Sequence, residues 1–315
     1  MKKKKILVLG ASGFIGKNIA LNLSKNKKNS VSGTYFKNKV IIKNVRMIKS
    51  NLTLRKDVDK VIKGNDIVIQ AAATTSGAKD IIQKPYIHVN DNSIINSMIT
   101  RACFNYKIKH VVFFSCSIMY NPYSKKLQKE ENIDVKKIYD GYFGAAHMKI
   151  FVENMCKFYS NLGRNRYTVI RHSNVYGPHD KFSLEKSHVL AGTINKVFSS
   201  KKEVVVWGDG KEKRDLIYIS DLVDFVKIVI KKQKNKFGLY NVGSEKLISI
   251  NELTDKIIKI SNKNLKKIND LSKKNLKTYI CLDCSKAKKE FKWRPKINLD
   301  IGIKKTIKWY YSKIC

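Results

Sequence analysis

KILVLGASGFIGKNIA (residues 5–20) admits two readings, and the choice between them decides the fold. Basic residues ahead of an apolar run outline a secretory signal. A short apolar run, a glycine turn and a helix start outline a phosphate cradle. Ile6, Leu7, Val8 and Leu9 have the length and character of a strand buried on both faces. Gly10, Gly13 and Gly16 follow in a G-x-x-G-x-x-G pattern, while Ile15, Ile19, Ala20 and Leu23 recur at helical spacing. A strand, a tight turn and an abruptly starting helix leave backbone N–H groups and the positive end of the helix dipole facing a common point. Gly10 permits the turn, Gly13 lets a pyrophosphate approach, and Gly16 lets the helix pack on the strand. A signal needs an unbroken apolar core and a small-residue cleavage site. Here glycines interrupt the core and Lys17, Asn18 and Asn22 follow it, which favours the nucleotide reading.

Working outward, the same alternation continues. Residues 31–35 and 40–48 suggest strands. NDIVIQAAA (65–73) is a strand that ends in small residues, which leave room for a ligand. An amphipathic helix, HVNDNSIINSMITRACF (88–104), precedes the buried strand HVVFFSCS (110–117), and a helix at 148–162 precedes the strand at 168–171. This predicts an α/β protein with a doubly wound parallel Rossmann-type sheet and a smaller carboxyl-terminal α/β substrate lobe. The expected boundaries are 1–172, with about 215–240 returning, for the dinucleotide domain, and 173–214 with 241–315 for the lobe. DLIYISDL (215–222) is expected to return to the main sheet.

The chain has 315 residues, is 43% hydrophobic and carries a formal net charge of +39. No run of eighteen apolar residues occurs, so no membrane insertion and a cytoplasmic location are expected. The basic excess is nearly all lysine and is scattered, in a composition also rich in Asn and Ile. Arginine, the preferred fork for phosphates and bases, is sparse, so a nucleic-acid partner is not expected. Cys103, Cys116, Cys156, Cys281, Cys284 and Cys315 should be reduced thiols. Cys281 and Cys284 form one C-x-x-C with no histidine nearby, and a structural zinc needs four ligands, so no metal is expected.

After the second strand, GTYFKNK (33–39) has no acidic residue to hold a ribose 2′-hydroxyl. Lys37 and Lys39 are placed to meet a 2′-phosphate, which favours NADP, with NAD as second choice. Together with Ala71, Ala72, Ala73 and the strand carrying Ser115, these features resemble the extended short-chain dehydrogenase/reductase superfamily, and within it the GDP-L-fucose synthase family. NVYGPHDKF (174–182) followed by SHV (187–189), VVVWGDG (204–210) with Arg214 and Asp221, and LDCSKAKKEFKWRPK (282–296) carry the resemblance over nearly the full length.

The resemblance implies a nucleotide-sugar reductase/epimerase in which hydride passes from NADPH to C4 of a 4-keto, GDP-linked sugar. A tyrosine protonates the oxygen, a lysine lowers that tyrosine's pKa, and a serine or threonine fixes the keto group. It implies a cofactor site of Gly10, Ser12, Gly13, Phe14, Ile15, Gly16, Lys37, Asn51, Leu52, Ala71, Ala72, Ala73, Lys149 and His172. Thr74, Ser117, Asn174, His179 and His188 are candidate substrate contacts; Arg214, an arginine among scattered lysines, is the candidate pyrophosphate fork, and Trp207 either stacks on the base or packs in the core. A homodimer through helices at 91–105 and 148–162 is implied as well.

The sequence departs from the pattern at its centre. The family motif is Tyr-x-x-x-Lys, whereas the run here is GYFGAAHMKIFVEN (141–154). Ala146 stands four after Tyr142, and Ala145 four before Lys149. Glu153, Tyr159 and Arg171 fit the family when counted from Lys149, which assigns Lys149 the lysine role. Tyr142 lies on the same helical face but about 10 Å away. It reaches the site only if Gly144 is not yet helical and the chain folds back; otherwise it is a packing residue. In SCSIMY (115–120), an ungapped count puts Cys116 in the serine position and Ile118 where the family keeps an epimerising cysteine. A shift of one residue puts Ser115 and Ser117 there. His179 is read as the epimerising histidine. Ser117-Ile118 argues against a 4,6-dehydratase. Two alternatives remain: a nucleotide-sugar 4-epimerase with retained NAD(P), and a non-catalytic dinucleotide-binding protein with a degenerate Tyr–Lys site.

Overall fold

A computed structural model describes residues 3–74, 84–183, 187–273 and 277–314; Cys315, one of the expected thiols, lies outside them. The described strands are β1 (Lys4–Leu9), β2 (Asn29–Tyr35), β3 (Val45–Lys49), β4 (Ile67–Gln70), β5 (His110–Cys116), β6 (Arg166–His172), β7 (Asn174–Tyr176), β8 (Glu203–Trp207), β9 (Lys213–Tyr218), β10 (Phe237–Val242), β11 (Leu247–Ser249) and β12 (Lys266–Asp270). Seven of them form the main sheet in the order β10-β6-β5-β4-β1-β2-β3. Each neighbouring pair in that sheet is parallel.

The alternation of strand side chains explains why ILVL is apolar without interruption. Ile6 and Val8 face one layer, which holds the helices Phe14–Leu23 and Ile219–Lys232. Leu7 and Leu9 face the other, with Arg55–Ile62, Asn90–Asn105 and Phe143–Leu162. With helices on both faces both sets of β1 side chains are buried, which favours an unbroken apolar run. The chain runs outward from β1 to β3 and then crosses back to β4 on the far side of β1. The connections after β1 and β4 therefore diverge, and a crevice opens between them at the carboxyl ends of the strands.

The remaining described elements lie outside the main sheet. They include the three-stranded sheet β11-β9-β7, the pair β12-β8, and the helices Val189–Ser199, Ile250–Ile260, Ser285–Phe291 and Leu299–Ile314. Two local expectations are corrected. The stretch expected to return to the main sheet instead pairs, as β9, parallel with β7 and antiparallel with β11. The seventh strand of the main sheet is β10. Leu216, Ile217 and Tyr218 are buried, and an apolar run of that length suits either sheet, so its pattern could not choose between them. The helix expected from residue 148 begins at Phe143. Gly144 is inside it because the helix packs closely there: a Cβ would lie 2.8 Å from Val89 Cγ2.

Candidate active site

At the glycine turn the backbones on either side approach closely. Gly10 has φ +72°, and a Cβ on it would lie 2.6 Å from the Cα of Ala72. A Cβ on Gly16 would lie 2.3 Å from the Gly10 carbonyl oxygen. The two lips thus touch through backbone alone. The Gly10 amide donates to Thr34 Oγ1 at 2.9 Å, which ties the turn to β2. Gly13 caps the Phe14–Leu23 helix with no side-chain acceptor, and the first turn has no acidic residue. Its orphan amides are therefore available to an anion. Gly13 is exposed, and Ser12, Phe14 and Ile15 are half-buried beside them. The cradle that a Cβ would fill, together with this uncapped helix start, fits the pyrophosphate of a dinucleotide.

Toward the end of β2, Phe36 is exposed and Lys37 Nζ lies 5.8 Å from the centre of its ring. Lys37 and Lys39 are both exposed. Asn51 Oδ1 accepts from the Thr53 amide and hydroxyl, and Leu52 is buried. Beyond β4, the Ala71 amide donates to the Leu9 carbonyl, Ala73 is exposed, and Thr74 is fixed by Asn92 through its amide (2.9 Å) and its carbonyl (3.0 Å).

At the carboxyl end of β5, Ser115 and Cys116 differ in exposure. Ser115 is 1% exposed and faces the same layer as Phe113, with no partner for its hydroxyl among the described residues. Cys116 is the residue partly open at the strand end. Ser117 follows in a turn whose carbonyl accepts from the Tyr120 amide. Burial raises the Cys116 pKa, opposed chiefly by the nearby Lys149 charge.

Lys149 donates to the Phe114 carbonyl at 2.8 Å and lies 4.8 Å from the centre of the Phe113 ring. Burial lowers its pKa, while Cys116, Glu153 and Cys156 support its charge. Ala145 stands one turn earlier on the same helical face, where it offers only a methyl group. Gly144 is helical, so the chain does not fold back by the route expected from the sequence. Tyr142 instead ends the single turn Asp140–Tyr142 just ahead of the helix. It packs with Met119, Ile138 and Ala146, and its ring centre lies 5.5 Å from that of Tyr139. Burial raises its pKa, and the charges felt by its phenol are those of Arg214, Cys116 and Tyr139. Cys116 is thus the group within electrostatic reach of both Tyr142 and Lys149.

The three histidines of this region have different surroundings. His179 has φ +72° and packs edge-on against Trp309 with ring centres 5.0 Å apart. Its pKa is lowered to about 4 by burial and by Lys17 and Lys313. It faces the amino- and carboxyl-terminal helices, and Cys116, Tyr142 and Lys149 are not among the charges that reach it. His188 precedes the Val189–Ser199 helix with Nδ1 3.2 Å from Asp180 Oδ1. The Asp180 side chain is buried, while that of His188 is half exposed. His172, at the end of β6, holds Nδ1 2.8 Å from the Ser173 carbonyl. Its pKa is lowered to about 4, mainly by burial, with Lys149 and His188 adding to the effect. His172 is in register with Cys116, and the charges of Lys149 and His188 both act on it.

The remaining expected contacts lie on the lobe. Asn174 donates to the Asp215 carbonyl at 3.2 Å. Trp207 is 42% exposed on β8, with Lys196 Nζ 4.7 Å from its ring centre. Arg214 donates through Nη1 to the carbonyls of Lys213 and Thr278, at 2.8 and 2.9 Å, and lies in the field of Tyr142. Among the described residues no group of His, Cys, Asp or Glu could hold a metal ion, and no helix is long and apolar enough to cross a membrane.

The glycine cradle, the seven-stranded order and the lysine at the end of β5 coincide with a family match. The model of the NAD dependent epimerase/dehydratase family matches residues 6–243. The chain belongs to that family. It is an NAD(P)-dependent enzyme of the extended short-chain dehydrogenase/reductase type, in the nucleotide-sugar epimerase and reductase class. GDP-L-fucose synthase of Sinorhizobium fredii is 26% identical over 319 residues, covering 99% of this chain and 96% of that protein. A putative UDP-glucose 4-epimerase of Methanocaldococcus jannaschii is 28% identical over 312 residues, covering 96% and 97%. The crystal structure of UDP-glucose 4-epimerase with UDP-glucose from Thermotoga maritima shares the fold, with a TM-score of 0.88 at 24% identity and coverage of 99% and 100%.

The sequence reading passed over Asp180 as an orienting carboxylate and over the buried partners of Arg171. Asp180 and His188 are eight residues apart across an irregular loop, so no periodicity pairs them.

Proposed function

We propose that this enzyme reduces a 4-keto sugar carried on a nucleoside diphosphate, GDP by resemblance, with NADPH as the hydride source. The observation that carries this reading is the Lys149 ammonium, held 2.8 Å from the Phe114 carbonyl at the strand end that bears Cys116, whose charge acts on both Lys149 and Tyr142. The dinucleotide supplies the hydride when bound. The amides around Gly10, Gly13 and Gly16 would hold its diphosphate, Lys37 and Lys39 a 2′-phosphate, and Lys149 and His172 the ribose and nicotinamide end. Negative charge develops on the sugar oxygen as hydride arrives, so proton donors must be aimed at it. Gly144 is helical, so Tyr142 is offered as donor without the fold-back the sequence required: it stands in the turn just ahead of the helix, is kept protonated by burial and feels the Cys116 charge, and on this reading it acts in place of the side chain absent at Ala145. Cys116 takes the serine position as a weak donor. Lys149, close to Cys116 and the coenzyme end, favours charge on the oxygen. Arg214 neutralises the substrate diphosphate, and Asn174, Trp207 and Thr74 border the sugar nucleotide. His188, oriented by Asp180, takes the part that the sequence assigns to His179.

A 4-epimerase with retained coenzyme is the second reading, supported by the Methanocaldococcus relative. Mass spectrometry of small molecules released from the purified protein tests both. A co-purified dinucleotide with turnover of a 4-hydroxy sugar nucleotide and no net coenzyme consumption selects the epimerase. Oxidation of added NADPH by a 4-keto GDP-sugar selects the reductase. A homodimer is supported by Ile94, Phe151, Phe158 and Leu162, exposed apolar residues on the adjoining helices Asn90–Asn105 and Phe143–Leu162. Light scattering after size-exclusion chromatography reads that mass directly.

A further inference from the structure

The one fully enclosed ion pair among the described residues lies directly behind this site. Arg171, on β6, donates Nε to both carboxylate oxygens of Glu153, at 3.0 and 3.2 Å, and Nη2 to Oε2 at 2.5 Å. Both side chains are about 95% buried, with exposures of 4% and 5%. Arg171 Nη1 donates to the Tyr120 hydroxyl at 2.9 Å and to the Glu130 carbonyl at 2.8 Å. The Tyr120 hydroxyl donates to Asn241 Oδ1 at 2.7 Å, and the Asn241 amide donates to Glu130 Oε1 at 2.7 Å. One guanidinium thus joins β6, the Phe143–Leu162 helix and the segment that leaves β5.

Its place is what gives it a consequence. Arg171 is paired in register with Ser115, the neighbour of Cys116. Glu153 is one helical turn beyond Lys149, on the same face. The ammonium of Lys149 is anchored to the same strand end through the Phe114 carbonyl.

We propose that Arg171 and Glu153 are positioning residues: the pair clamps the helix bearing Lys149 onto the strand ending in Cys116, and the Glu153 carboxylate supplies the counter-charge for the Lys149 ammonium. The relevance to catalysis rests on the role given above to Lys149. The charged and titratable groups facing Lys149 are Glu153 and Cys156 from its own helix, Cys116 from β5 and His172 from β6. Glu153 is the sole carboxylate in that set, so removing its charge leaves desolvation of Lys149 less opposed.

The test is competitive acetylation of the full chain with acetic anhydride across a pH series, read at the Lys149 peptide by mass spectrometry. In Glu153→Gln the labelling midpoint of Lys149 should fall by about one pH unit. Tm should fall as well, because Arg171 is left buried without its partner. In the double variant Glu153→Met with Arg171→Met, Tm should recover while the Lys149 midpoint stays below that of the wild type. An unmoved midpoint in both variants overturns the proposal and leaves the pair a purely structural contact. Should Glu153→Gln fail to fold, the double variant decides by the same criterion. Coenzyme titration of the wild-type sample runs alongside. A flat titration with a shifted Lys149 midpoint indicts the proposed activity, not the clamp.

Discussion

At the glycine lip of the crevice, each residue is dictated by a neighbouring backbone atom: a side chain at Gly16 would meet the Gly10 carbonyl at 2.3 Å, and one at Gly10 would meet Ala72 Cα at 2.6 Å. At the opposite end, near Cys116 and Lys149, Ala145 stands where the family motif has its tyrosine, and the proposed substitute, Tyr142, lies in the turn just ahead of the helix. The contrast separates two kinds of constraint. A coenzyme diphosphate is held by amides, whose positions only the backbone can set. A proton can be delivered by any phenol whose oxygen reaches the right point, so its sequence position is free to move.

The largest expected effect breaks the first half of that contrast. Gly16→Val drives a side chain into the backbone of the turn, which cannot yield as a flexible side chain would. Coenzyme affinity should fall by more than about 100-fold, or stability by more than about 3 kcal/mol. Gly144→Ala is the control, since its new methyl group meets only the end of the Val89 side chain. Calorimetric titration of the two variants should separate them widely; equal behaviour would remove the distinction.

The second prediction addresses the reactive half. Tyr142→Phe should lower turnover roughly 100- to 10,000-fold while leaving coenzyme affinity near that of the wild type. Placing a tyrosine by Ala145→Tyr in that background should restore part of the rate. An unaffected rate in Tyr142→Phe takes the phenol out of the mechanism.

A third, smaller effect concerns the sheet itself and should be independent of both halves. His110, at the amino end of β5, is bonded through Nε2 to Thr168 Oγ1 at 2.7 Å, and burial lowers its pKa to about 3. Its folded value lies below the unfolded value near 6.5, so the unfolded chain binds the extra proton. Stability is therefore complete above pH 6.5 and is lost as pH falls toward 3, by up to about 1.4 kcal/mol per pH unit. Urea midpoints measured from pH 7 to 5 should fall less steeply in His110→Gln. The smallest effect distinguishes the two loop histidines. His188→Asn should lower turnover about tenfold, whereas His179→Asn should act mainly on Tm by loosening the contact with Trp309. The reverse ranking would restore the assignment made from sequence.

Much of the fold could be read because its strands are short, apolar and separated by helical periodicity. ILVL, NDIVIQ and HVVFF each announce a strand covered on both faces, and the glycine spacing announces the crevice. The chemistry was less legible wherever the deciding fact was three-dimensional. The sequence allows two frames at residues 115–118, and nothing in it says that Ser115 is buried while Cys116 is only partly so. His179 sits inside the loop motif, yet its left-handed backbone turns the ring onto a helix some 130 residues later. The start of the Phe143–Leu162 helix was hidden by a glycine, which signals a break in sequence and here marks close helix packing instead. Arg171 and Glu153 were visible as landmarks, but nothing in their spacing says that they meet in a bidentate pair.

The central claim, that Tyr142 serves a nicotinamide-dependent reduction from outside the usual motif, is tested most directly by a single-turnover experiment. Protein in excess is mixed with NADPH and a 4-keto GDP-sugar, and the near-ultraviolet absorbance of the reduced coenzyme is followed in the wild type and in Tyr142→Phe. The account predicts one equivalent of NADPH oxidised in the wild type and a decay at least about 100-fold slower in the variant. Equal decay in the two proteins, or none in the wild type once coenzyme binding has been established, would contradict it.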